Sequence, residues 1–278
     1  MPVEPMLYET HAHTPLCGHA SGELAEYARA AGERGLAGVV FTCHNPMPDG
    51  YGAGTRMRPE QFGAYQDLVA DARRAHAGAV DVRLGLECDY LPGYEPWLRA
   101  QIASAPLEYV LGSVHAQYPE YRQRFGTPVE PGFYRTYFDH LAAAAETGLF
   151  DCLAHPDLVK IVAPERWDVD ACWPWIERSL DRIAATGVAL ELNTSGTRKA
   201  PHEVYPGTAF LRAVIARGIP VIVGADAHAP ERVGDGFEEA LALLARCGRT
   251  TVSVVVQRER VDLDLEAARA SLRPRLAG

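Results

Sequence analysis

The chain has 278 residues, of which 47% are hydrophobic and 23% charged, and a formal net charge of −9. That length and balance support one large globular core and argue against disorder, and the negative charge discourages non-specific adhesion to nucleic acid or an anionic membrane. No CxxC pair occurs among the six cysteines, no apolar run is long enough to span a bilayer, and "MPVEPMLYETH" has no secretory signature, so the expectation is a cytoplasmic protein with reduced thiols.

The first strand is expected over Leu7–His13. The helix in "SGELAEYARAAGERG" (21–35) follows, with Leu24, Tyr27, Ala28 and Ala31 on one face, Ser21 as N-cap and Gly35 at its end. A second strand, Gly38–Thr42, leads into the Gly- and Pro-rich stretch "NPMPDGYGAGTRMR" (45–58), expected to lie as a loop over the mouth of the fold. Further strands are expected at Val82–Glu87, Tyr109–His115, Asp151–His155, Val188–Asn193 and Pro220–Asp226. The helical segments are "PEQFGAYQDLVADARRAHAG", "PGFYRTYFDHLAAAAETG", "DACWPWIERSLDRIAATG" and "PGTAFLRAVIARG", each ending at glycine. The run "TTVSVVV" (250–256) closes or flanks the sheet. Repeated strand–helix units imply an α/β fold with a parallel sheet, closed into a barrel in a single domain over 1–278, with an open doubly wound sheet as the weaker alternative.

The strand ends carry the chemistry. The first ends in "HAH", the second in "FTCH", the third in "LGLE", the fourth in "LGSVH", the fifth in "CLAH" and the seventh in "VGADAH". Barrel enzymes assemble their sites at the C-terminal ends of the strands, so these residues share one face. Residues i and i+2 of an extended strand point the same way, which pairs His11 with His13 and Asp226 with His228. Imidazole with carboxylate is the donor mix of a hydrolytic Zn, Mn or Fe site. His76 and His140 fall within helical segments and are not read as ligands, and Cys43 and Cys88 are read as small core residues on the opposite strand face. No HExxH, GxSxG, GxxxxGK[ST] or full GxGxxG occurs, and no basic run is interleaved with aromatics, so nucleic acid is not an expected partner.

Together "HAHTPLCGH", "FTCHNPMPDG", "GLECDYLPGYE", "LGSVHA", "AHPDLVK", "LELNTSGTRK" and "GADAH" resemble the polymerase-and-histidinol-phosphatase (PHP) family of metal-dependent phosphoesterases, over about residues 7–235. The resemblance implies a distorted (β/α)7 barrel, TIM-barrel-like, with up to three divalent metal ions. It assigns His11, His13, Glu87 and Asp226 to one metal, Glu87, His115 and His155 to a second, and His19, His44 and His228 to a third. It further implies in-line attack on phosphorus by metal-activated water, with Arg198 as phosphate clamp and Lys160 as a weaker candidate for that contact.

"GLECDYLPGYE" and "NTSGTRK…YP" are similar to the histidinol-phosphate phosphatase branch, which makes a small phosphorylated metabolite, L-histidinol phosphate, the expected substrate. The alternatives are a phosphoesterase or phosphodiesterase on another small metabolite or nucleotide, and a non-catalytic metal-bound interaction module. One stretch departs from that branch: "GSVHAQYPEYRQRFGTPVEPGFY" carries Ala116 and Gln117, lacks tryptophan, and adds Arg122 and Arg124, read as contacts for a more anionic ligand or as surface. Oligomeric state is left open.

Overall fold

The computed structural model describes residues 6–130 and 132–274. The reading of no leader over "MPVEP", Pro131 in the 131–148 helical segment, and the extreme ends of a 1–278 domain lie outside the described residues.

Seven strands form one parallel sheet in sequence order: β1 (Tyr8–Ala12), β2 (Gly38–Phe41), β3 (Asp81–Asp89), β4 (Tyr109–Ser113), β5 (Cys152–Leu153), β6 (Ala189–Asn193) and β7 (Val221–Gly224). Helices α1 (Leu24–Glu33), α2 (Phe62–Ala75), α3 (Glu95–Ala103), α4 (Pro119–Phe125), α5 (Phe133–Glu146), α6 (Val169–Ala184), α7 (Thr208–Ala216) and α8 (Phe237–Arg246) alternate with the strands. The sheet curls until β1 meets β7, giving the distorted (β/α)7 barrel. The distortion is visible in β3, whose first half pairs with β2 and whose second half pairs with β4. At that step the Tyr65 hydroxyl of α2 lies 2.6 Å from the Phe41 carbonyl and 2.9 Å from that of Gly85, so the strand ends do not leave buried carbonyls unsatisfied.

Alternation along each strand separates two cores. Val40, Tyr109, Leu111, Cys152, Ala189 and Ile222 fill the barrel, while the opposite faces pack on the helices. Helix α1 buries Leu24, Tyr27, Ala28 and Ala31, the face its spacing predicts. Gly35 ends it with φ 72, a conformation that costs a residue with a Cβ. Its start differs: Glu23 caps it in a reciprocal box with Glu26, and the Ser21 N–H is spent on the His228 carbonyl, 2.9 Å away.

The 250–256 run flanks the barrel rather than closing it. As β8 (Thr251–Val256) it forms an antiparallel ribbon with β9 (Glu259–Asp264), followed by α9 (Leu265–Ser271), and Val255 plugs the barrel interior beside Tyr109 and Ile222. The 45–58 stretch is a loop that reaches the cavity through Thr55, and it is anchored by the buried side chains of Asn45, Met47, Tyr51, Arg56 and Met57. Among the described residues no helix is long and apolar enough to cross a membrane.

Closure between β1 and β7 is partly a side-chain seam. Among the described residues, backbone bonding across it is confined to the upper end, where Ala227 N–H donates to the His11 carbonyl (2.7 Å) and His13 N–H to that of Ala227 (2.9 Å). Below it, Thr10 Oγ1 donates to the Val223 carbonyl (3.2 Å). The fully buried Glu9 carboxylate accepts from the N–H groups of Ala225 (3.0 Å), His11 (3.1 Å) and Gly234 (2.9 Å). Glu9→Ala strands three buried donors at about 1–3 kcal/mol each, so we expect a loss of roughly 3 kcal/mol or more in denaturant unfolding. A midpoint equal to that of the unsubstituted chain would show that the seam does not hold the barrel.

Candidate metal centre

His11 and His13 point inward from the end of β1, beyond the register shift between Glu9 and Ala12, and their rings, both fully buried, sit 5.1 Å apart. Strand β3 brings Glu87 beneath them. Glu87 Oε1 lies 3.1 Å from His155 Nε2 and 3.4 Å from His115 Nε2, and its Oε2 lies 2.7 Å from His44 Nδ1, 3.5 Å from His11 Nε2 and 3.7 Å from His13 Nε2. Asp226 Oδ1 is 3.1 Å from His13 Nε2, 3.3 Å from His228 Nδ1 and 3.6 Å from His11 Nε2. On the outer side His19 Nε2 and His228 Nε2 are 2.8 Å apart, with the His44 ring 5.5 Å from that of His19. All nine residues expected from the sequence therefore converge on one end of the barrel.

The route to that convergence differs from strand alternation at two points. Strand β3 continues two residues past Glu87, to Asp89. Strand β7 stops at Gly224, and Asp226 takes φ 52, so Asp226 and His228 meet through a turn and not as a same-face strand pair. His155 is also left-handed, at φ 27. Such backbone conformations are uncommon for residues with side chains and gather at functional sites. Gly224 has its own reason: a Cβ there would lie 2.2 Å from Glu191 Oε1 and 3.0 Å from His11 Cβ.

A second set of groups, not anticipated from the sequence, fixes the ring orientations. Glu191 Oε1 bonds His11 Nδ1 at 2.8 Å, and its Oε2 accepts from the His155 N–H and from Asn193 Nδ2, both at 2.9 Å. Asp89 accepts from His115 Nδ1. Ser195 Oγ donates to Asp226 Oδ2 at 3.2 Å. For His11 and His115 the engaged Nδ1 leaves Nε2 turned toward the cluster, the arrangement by which a carboxylate orients a metal-binding imidazole. The signal was available: Glu191 is a lone carboxylate in the apolar "ALELN", and Asp89 stands two residues from Glu87 on the same face.

Burial alone would raise the carboxyl groups of Glu87 and Asp226. The facing histidines outweigh it, His44, His11 and His115 for Glu87 and His11 and His228 for Asp226, and hold both well below the usual carboxylate range. Burial opposes a proton on His13 and His115, yet Asp226 and Glu87 push His13 up to about 9, and Asp89 and Glu87 do the same for His115. Burial and neighbouring imidazoles send His44 down to about 4 and His228 to about 3.

A cation fits this arrangement on the evidence of the donors themselves. His11 Nε2, both ring nitrogens of His13, His44 Nδ1 and Glu87 Oε2 are buried and make no hydrogen bond, a state that normally costs stability. Among the described residues four groups of histidines and carboxylates draw their donor atoms within 4.8 Å of one another: His11, His13 and Asp226; His11, Glu87 and His155; His13, His44 and Glu87; and His19, His44 and His228. Cys17 forms a further such group with His13 and His228. Imidazole and carboxylate without clustered thiolates match a divalent ion in a hydrolytic site.

Above the cluster opens a cavity of about 480 Å³, lined in part by Thr55, Tyr118, Leu158, Ile161, Arg198 and Lys199. That volume suits a small metabolite. Arg198 stands on its wall, held by Asp235 Oδ2 at 2.6 Å and the Ala225 carbonyl at 3.4 Å. Lys160 does not reach it. Its fully buried ammonium donates to Asp157 (3.0 Å), Glu203 (2.9 Å) and the Val204 carbonyl (2.9 Å), which consumes all three protons. Arg122 and Arg124 are likewise engaged elsewhere, by the Gln117 carbonyl and by Asp49 with Tyr94.

Lys160 thus ties the 157–161 turn to the segment returning from Arg198. Lys160→Met leaves the buried Asp157 unpaired and should cost about 3–5 kcal/mol in unfolding measurements, with metal content of the folded fraction unchanged. A stable variant with weakened substrate binding would return Lys160 to the site.

The profile of the PHP domain family matches residues 9–195. A protein of Deinococcus radiodurans named "Probable histidinol-phosphatase" is 40% identical over 253 residues, covering 89% of this chain and 96% of that one. The "Histidinol-phosphatase" of Bacillus subtilis is 25% identical over 85% of this chain and 98% of its own. The crystal structure of a histidinol phosphate phosphatase from Lactococcus lactis, complexed with Zn, L-histidinol and phosphate, superposes with a TM-score of 0.74 at 18% identity, over 92% of this chain and 98% of that one, and so shares its fold. With the barrel and its nine converging side chains, these matches place the chain: it belongs to the PHP domain family.

Proposed function

We propose that this chain is a metal-dependent phosphomonoesterase that hydrolyses L-histidinol phosphate to L-histidinol and phosphate. The observation that carries the reading is the buried His/Glu/Asp cluster forming the floor of a cavity of metabolite size. The substrate choice is supported by the relatives' names, above all the one at 40% identity over 96% of its length. Up to three divalent ions would be held, one by His11, His13, Glu87 and Asp226, a second by Glu87, His115 and His155, and a third by His19, His44 and His228. Zinc is supported by the Lactococcus lactis complex, and Mn and Fe satisfy the same donors.

Such ions supply positive charge against the phosphate oxygens and acidify the attacking water. The chain's own residues do the rest. Arg198, braced by Asp235, presents a planar pair of donors that matches two phosphate oxygens. Glu191 and Asp89 hold the His11 and His115 rings in one tautomer, and Ser195 pins the second oxygen of Asp226. Tyr118, Leu158 and Ile161 give the cavity an apolar wall against which the organic part of the ester can pack.

Phosphate release from L-histidinol phosphate, compared with sugar phosphates, nucleotides and phosphodiesters, tests the substrate. The expected result is a kcat/KM at least tenfold above any other compound, and turnover no faster than the panel average would defeat the assignment. Glu87→Ala or Asp226→Ala should lower kcat by roughly 1,000-fold or more with the fold intact, since several kcal/mol of charge stabilisation is lost. Arg198→Ala should instead raise KM by roughly 10-fold or more; unchanged kcat and KM would remove it from the site.

A further inference from the structure

Arg56 sits in the 45–58 stretch, far from the strand ends in sequence, yet it is buried to 5% exposure within reach of the cluster. One of its terminal nitrogens donates to the Asn45 carbonyl (2.7 Å) and to Asn45 Oδ1 (3.2 Å), and the other to the Asp89 carboxylate. The guanidinium faces the rings of both Tyr51 and Tyr118, 5.5 Å from each centroid. Asp89 is fixed from a second side as well, its N–H donating to Asn45 Oδ1 at 3.0 Å. Its other carboxylate oxygen takes the proton of His115 Nδ1. Buried charge is expensive unless fully paired, and this arginine's pairing is directed at a single imidazole.

We propose that Arg56 is a positioning residue of the metal centre: acting through Asp89, it locks the tautomer and ring angle of His115 so that Nε2 faces Glu87. The chain of contacts runs from the loop to the cluster without a break. Arg56 fixes Asp89, Asp89 fixes His115 Nδ1, and His115 Nε2 is left 3.4 Å from Glu87 Oε1. The same arginine stacks on Tyr118, whose ring lies 5.2 Å from that of His115 and which, with Thr55, lines the cavity. Thr55 Oγ1 donates to the Tyr118 hydroxyl at 2.7 Å, so the loop fixes the cavity wall and the metal site through one joint. A second buried arginine shows the contrast: Arg34 pairs with the partly exposed Glu238 and with the Gly234 and Arg273 carbonyls, none of which touches a site residue.

The inference rests on reading His115 as a ligand, and the test separates the two. The metal-free enzyme is titrated with Zn²⁺ by calorimetry, comparing the unsubstituted chain with H115A, R56M, R56K and D89N. Disruption of a group that orients a metal ligand typically weakens metal binding 10- to 100-fold. Arg56→Met and Asp89→Asn should therefore each weaken one Zn²⁺ equivalent by that factor, leave the others unchanged, and affect the equivalent that His115→Ala removes. Arg56→Lys should recover part of the loss. If His115→Ala binds Zn²⁺ like the unsubstituted chain, the ligand assignment fails and this inference with it. If His115→Ala loses an equivalent but folded Arg56→Met does not, the positioning role alone is overturned. Should Arg56→Met fail to fold, Asp89→Asn, which preserves shape, decides the question by the same criterion.

Discussion

The carboxylate of Glu87 is the constraint around which the molecule is organised. It is sealed from water in the interior of a barrel and faced by five imidazoles within 3.7 Å. An anion in that position is tolerable only where positive charge or donors surround it. The strands therefore deliver histidines from four other places in the chain, and two of these histidines have their outer nitrogen held by a further carboxylate. Glu191 does this for His11 and Asp89 for His115. The demand then moves outward once more, to Arg56 behind Asp89 and to Asn193 behind Glu191. What looks like a list of polar residues is one chain of compensations starting from a single buried acid.

Much of this was legible in the sequence because strand alternation has a period of two and the barrel puts all strand ends on one side. The seven inner strands and the convergence of His11, His13, His44, Glu87, His115 and His155 follow from those two facts, whereas His19 and the division of the set among metal ions came from the family resemblance. The inner face of α1 follows from helical spacing. Applied one step further, the same period would have found the supporting carboxylates Asp89 and Glu191, inward-facing charges in apolar strands, the first standing two residues from Glu87, but not Glu9, which the register shift in β1 puts out of phase with His11. The family resemblance named the ligands and passed over these neighbours.

Other features were hidden for physical reasons. Alternation ends where a strand ends, so it misdescribes Asp226, whose left-handed backbone turns the side chain back toward His13. Lys160 follows a histidine strand end by five residues and looks like a phosphate contact, but a carboxylate of the same turn, Asp157, captures it first. The 45–58 stretch has loop composition, yet composition does not report that Arg56 anchors it in the interior. Strand β9 is almost wholly exposed, so it carries no apolar alternation to read.

The seam between β1 and β7 also sets the order in which the site can exist. Glu9 and Ala225, which bond across it, are 216 positions apart in the chain. Contacts of such separation carry the largest loop-closure cost and form late. A growing or partly folded chain that has completed six strands already holds every cluster residue except Asp226 and His228. Its histidines then face an open trough with Glu87 at the bottom. Barrel closure and completion of the cluster are coupled, because Ala225 and Ala227, which bond across the seam, alternate with Asp226 and His228, which finish the site. The catalytic end of this protein is thus a readout of whether its first and last inner strands have met.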